Sequence, residues 1–73
     1  MVDIPKLRSR MVLEGYNQRS LVAELNNRGF KISENTFSSK MVGKSQFDCD
    51  LVDTLCDVLD IYTPADKAEI FLA

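Results

Sequence analysis

The sequence predicts a compact all-α domain of five short helices. Three observations carry this. Apolar residues recur three and four apart along most of the chain. Each such stretch opens on a side chain or proline suited to a helix start. Three of the stretches close on a glycine, and no segment alternates apolar and polar residues as a half-buried strand does.

The first helix is expected from about Ile4 to Glu14. Pro5 suits its first turn, Leu7 and Met11 share a face, and Gly15 ends it. The second starts after Asn17 as N-cap and runs to about Arg28, with Leu21, Val22 and Leu25 inward and Gly29 as its stop. "FKI" then crosses as a short connection with Phe30 and Ile32 buried. Ser33 caps the third helix, about Glu34 to Val42, and Gly43 closes it. Asp48 caps the fourth, about Cys49 to Asp60, which places Val52, Leu55 and Leu59 at helical spacing. "TPAD" opens the fifth, with Thr63 as N-cap, Pro64 at the first helical position and Asp66 in the first turn.

Seventy-three residues suit one domain, 1–73, with a thin stability margin. A chain that is 45% hydrophobic and 27% charged can bury a core and is not of the disordered class. No apolar run approaches the roughly 18 residues of a membrane span. "MVDIPKLRSR" lacks the long apolar core of a signal peptide, so a cytoplasmic location is expected. Cys49 and Cys56 lie seven apart on one predicted helix. That separates them by about 10.5 Å, beyond the roughly 7 Å a disulfide allows, and both are expected to fill core space. With no histidine and no second cysteine pair, no metal site is expected. The chain also has no Gly-rich phosphate loop and no carboxylate pair with an evident pocket. Neither an enzyme nor a small-molecule or cofactor site is expected.

The net charge of −2 hides an asymmetry. Residues 1–46 carry eight basic side chains against four acidic ones, for +4, and residues 47–73 carry one against seven, for −6. A basic working half and an acidic back would produce this pattern, as would two solvated faces.

Helix 3 is unusual in composition. At about 100° of rotation per residue, Phe37 and Met41 face the core. The opposite side falls near Asn35 and Ser39, with Ser38 and Val42 beside them and Thr36 on the other flank. A helix facing plain solvent would more often carry Glu and Lys there. Short side chains let a helix approach a partner closely. A DNA major groove accepts such a helix, and Asn and Ser can bond base edges within it.

"GYNQRSLVAEL" followed by "ISENTFSSKMVGK" resembles the helix-turn-helix of lambda-repressor and Cro-type DNA-binding domains, above all the short regulators of bacteriophages and prophages. The likeness starts at "LRSRMVLEGYNQ", continues through "NTFSSKMVGKSQF" and reaches "TPADKAEIFL". Gly15, Gln18, Leu21, Phe37, Gly43 and Phe47 stand at compatible positions. The resemblance implies a five-helix lambda-repressor-like fold and sequence-specific binding of double-stranded DNA. Helix 3 would read the major groove with Glu34, Asn35, Ser38 and Ser39 at base-facing positions. Gln18 would touch the DNA backbone and brace helix 3, and Lys44 and Ser45 would meet phosphate. Arg19, Lys31 and Lys40 are further candidates for the backbone, because basic side chains neutralise phosphates and a helix start favours an anion.

Two features depart from that pattern. "NNRGFKIS" exceeds the roughly 3–4-residue turn of the motif by about five residues. Glu34 would repel phosphate, although it could accept from a cytosine amino group or simply favour its helix N-terminus. A protein-interaction module on the same scaffold, such as an antirepressor or a phage-encoded inhibitor, is the alternative function, and the acidic second half supports it. Working as a homodimer on DNA is also expected. Ile70, Phe71 and Leu72 are consecutive, so one helix face cannot turn all three inward, and Phe71 and Leu72 are the candidate dimer contacts.

Overall fold

Every helix begins where a side chain takes up a backbone amide that the helix itself leaves unpaired. In a computed structural model, which describes residues 2–72, the order is α1 (Ile4–Leu13), α2 (Gln18–Asn27), α3 (Glu34–Met41), α4 (Cys49–Leu59) and α5 (Pro64–Phe71). The side chains of Asp3, Asn17, Ser33, Asp48 and Thr63 each accept from the amide three residues on. Asn17 and Ser20 do so reciprocally: Ser20 N–H donates to Asn17 Oδ1 at 2.8 Å, and Asn17 N–H to Ser20 Oγ at 3.0 Å. The described residues contain no strand, and none of their helices is long and apolar enough to cross a membrane.

The ends of α1 to α4 share one geometry. Gly29 sits at φ 95°, and the next amide, Phe30 N–H, reaches back to Leu25 C=O at 2.9 Å. Gly15 and Gly43 close α1 and α3 in the same way. At α4 the role falls to Asp60, which adopts φ 61° while Ile61 N–H bonds Cys56 C=O at 2.9 Å. The sequence marks Asp60 as a helix end but not as a left-handed one, since glycine is the usual occupant.

α2 packs against both α3 and α4, and α1 against α5. Leu7, Leu21, Leu25, Phe37, Leu51, Leu55 and Leu59 are fully buried between them. The Phe37 ring meets Phe47 edge to face, with centroids 6.4 Å apart. Asp3 N–H donates to Ile70 C=O at 2.6 Å, tying the start of α1 to the end of α5. Arg10 donates from Nε to Leu59 C=O at 3.1 Å and from a terminal nitrogen to Asp60 C=O at 2.8 Å. It thereby satisfies carbonyls at the open end of α4, where a cation is favoured.

Four expectations need correction. Cys56 is buried, but Cys49 is exposed at the first position of α4, so only one thiol fills core space. Phe30 and Ile32 are half-buried, packed against the rim of the core. Asn26 and Asn27 belong to α2, so the connection to α3 is residues 28–33, shorter than "NNRGFKIS". Phe71 is 5% exposed and packs in the core, whereas Leu72, the C-cap of α5, is 75% exposed. Of the two candidate dimer contacts, Leu72 alone is available at the surface.

Candidate nucleic-acid interface

α3 is held in place from its buried side. Phe37 and Met41 anchor it, and Ser33 caps it: Thr36 N–H donates to Ser33 Oγ at 3.1 Å, and the Ser33 hydroxyl donates to Thr36 Oγ1 at 2.9 Å. Thr36 is therefore occupied locally. Glu34 and Asn35 are exposed at the open end of the helix, where the macrodipole favours the Glu34 carboxylate. Ser38 and Ser39 are half-buried along the same outward side, and Val42 follows them, 62% exposed. The four base-facing candidates thus lie on one helix, two open to solvent and two partly shaded.

The connection before α3 is braced by a side chain that the sequence does not advertise. Asn26 Nδ2 donates to Val22 C=O and to Ile32 C=O, each at 2.9 Å, and Ile32 N–H donates back to Asn26 Oδ1 at 3.2 Å. The amide of Asn26 therefore pairs with the peptide of Ile32 as two strands would. Residues 28–33 are tied to α2, which fixes where α3 begins.

Around α3 the basic candidates divide by what their charges meet. Arg19 is exposed in the first turn of α2, Lys31 on the connection, and Lys44 in the turn after α3. Among the described residues none of these three forms an ion pair. The pairs are Lys6–Glu69, Arg10–Glu14, Arg28–Glu24 and Lys67–Asp53. Lys40 is half-buried, and its Nζ donates to Gln46 C=O at 2.7 Å across the turn. Its ammonium is partly committed to holding that turn. Ser45 is exposed beside Lys44, and the amides of both reach back to Ser39 C=O, at 3.4 and 2.9 Å. Gln18 is half-buried as the first residue of α2. Asn17 has taken the Ser20 amide there, leaving those of Gln18 and Arg19 at the helix opening.

The acidic second half gathers on α4. Asp50, Asp53 and Asp57 are exposed there, with Asp60 at its end, and Lys67 offsets Asp53 alone at 3.4 Å. Among the described residues no group of His, Cys, Asp and Glu is arranged to hold a metal ion. Comparisons with protein-family models, curated proteins and solved structures find no match to this chain.

Proposed function

We propose that the protein is a sequence-specific double-stranded DNA-binding regulator of phage or prophage type, which reads the major groove with α3. The observation that carries this is the surface of α3. Its outward side holds the short side chains of Asn35, Ser38, Ser39 and Val42, and Glu34, at the first position of the helix, is the one long side chain among the base-facing candidates. Lys31 precedes the helix and Lys44 follows it, Arg19 opens α2, and none of the three has an acidic partner among the described residues, which leaves their charges available to phosphate. The Cro-type resemblance assigns the same helix to the same task.

A homodimer on DNA belongs to this proposal. The greatest extent of the described chain is 28 Å. Successive major-groove faces lie about 34–36 Å apart, so one copy reads one groove.

Selection from a random duplex library tests the proposal. Enrichment of one motif, with choice relaxed at a single position by Asn35→Ala, is the expected result. Binding that is indifferent to sequence, or absent, would overturn it. The acidic side of α4 favours a second function, a protein-interaction module that meets a basic partner. That function predicts a captured protein and no enriched motif.

A further inference from the structure

Val42 is an exposed apolar side chain on an otherwise polar helix side. It is 62% exposed and is not one of the hydrophobic side chains that form the core or pack against it among the described residues. Its backbone, as C-cap of α3, donates to Ser38 C=O at 3.0 Å, so the fold uses its amide and not its side chain. Helical rotation of about 100° per residue sets Val42 within about 20° of Asn35, two turns further along. The residues between them on that side, Ser38 and Ser39, are too short to shade it.

We infer that Val42 is a specificity-determining residue that selects a thymine by contact with its C5-methyl group. This rests on the DNA-binding function proposed above and deepens it. In the major groove the thymine methyl is the one apolar base feature, and an apolar side chain is its complement. A valine offers two methyl groups at the end of a short stem, so it reaches a base edge only if the helix lies close. The serines preceding it allow that approach. Asn35 and Val42 are about 10.5 Å apart along the helix axis. The thymine should therefore fall within about three base-pair steps of the position that Asn35 reads.

Deoxyuridine provides the test, because it pairs as thymine does and lacks only the methyl group. A duplex recovered from the random library is remade with each thymine in turn replaced by deoxyuridine. It is then titrated with the parent protein and with Val42→Ser. At one position the parent should lose about fourfold in affinity, the effect of withdrawing one methyl group from contact. Val42→Ser should bind the thymine and deoxyuridine duplexes alike, with the melting temperature of the parent. Equal tolerance of every replacement by the parent would overturn the inference, as would an equal loss in both proteins or a selected site with no thymine near the Asn35 position. In those three outcomes a motif has still been selected, and the proposed function stands. Failure to select any duplex would overturn the function and this inference with it.

Discussion

The side chain of Asn26 and the backbone of Ile32 form a closed pair, with N–H donors running in both directions at 2.9 and 3.2 Å. A third bond ties the same amide to Val22 C=O at 2.9 Å, one turn back on α2. An amide side chain is the group that suits this place, since it presents a donor and an acceptor side by side. Both partners are half-buried, so water compensates only in part for a lost bond. Asn26→Ala is expected to cost about 1–3 kcal/mol in urea denaturation. Asn26→Asp should be at least as damaging at neutral pH, because a carboxylate would face the Val22 and Ile32 carbonyls. It should recover in acid as the carboxyl protonates and can donate. Parent-like stability of both variants would show that the pair contributes nothing.

Phe37 ties α3 to the turn that leads into α4. It is fully buried and its ring meets Phe47. Phe37→Ala should cost about 3–5 kcal/mol, from lost burial and the cavity left behind. For a domain of this size that approaches the whole of its stability. Phe37→Leu should lose less and stay folded. A parent-like melting temperature for Phe37→Ala would contradict its place in the core.

Local chemistry was legible in the sequence, whereas chemistry that depends on the folded chain was not. Asn17, Ser33, Asp48 and Thr63 were readable as caps because a cap bonds an amide three residues on, within the same short segment. Arg10 was readable only as a basic residue. Its partners, the carbonyls of Leu59 and Asp60, lie 49 and 50 residues away and meet it only once α1 and α4 are folded together. Asn26 escaped notice for a related reason, since an Asn near a helix end has many possible bonds. On the candidate interface, α3 and its outward face followed from periodicity. The partial commitment of Lys40 to Gln46 C=O did not, because that bond depends on how the turn folds back. Consecutive apolar residues at the end of α5 required one to stay outside, but not which one.

Lys40 and Lys44 should separate in experiment. Lys44 is exposed, and its side chain forms no ion pair among the described residues, so Lys44→Ala should leave the melting temperature unchanged. It should weaken all DNA sequences about equally and reduce the salt slope by about 0.9 if one phosphate contact is lost. Lys40→Ala removes the 2.7 Å bond to Gln46 C=O. It should cost about 1 kcal/mol of stability, the scale of a hydrogen bond that is partly solvated. Equal effects of the two changes on stability would remove the distinction.

The cysteines give a pH prediction with a definite sign. Burial pushes the Cys56 thiol above its ordinary value of 9.0, against the smaller opposing effect of the Lys67 charge. The unfolded chain therefore releases this proton at lower pH than the folded one does. The contribution of Cys56 to stability is fully present below about pH 9 and is lost as pH rises toward its folded value. The stability difference between parent and Cys56→Ala should narrow on that alkaline limb. A thiol reagent at neutral pH should label exposed Cys49 quickly and Cys56 only as the fold opens. Equal labelling rates would contradict the burial of Cys56.

Leu72 and Phe71 are adjacent, and they separate assembly from folding. Phe71→Ser removes a core ring, so its loss of DNA binding would report only unfolding. Leu72 is 75% exposed, and Leu72→Ser should leave the monomer folded. If Leu72 joins two copies on a palindromic site, the variant should bind a half-site as the parent does and lose the cooperative gain on the full site. Leu13 is 74% exposed at the other end of α1 from the Asp3–Ile70 bond, which makes Leu13→Ser the matched control for losing a solvent-exposed leucine. Sedimentation of each complex gives the number of copies bound. Two copies of the parent and of Leu13→Ser, and one of Leu72→Ser at the same protein concentration, is the expected pattern. A parent that binds an isolated half-site as one copy with its full-site affinity would end the dimer proposal, because the second groove would then add nothing to recognition.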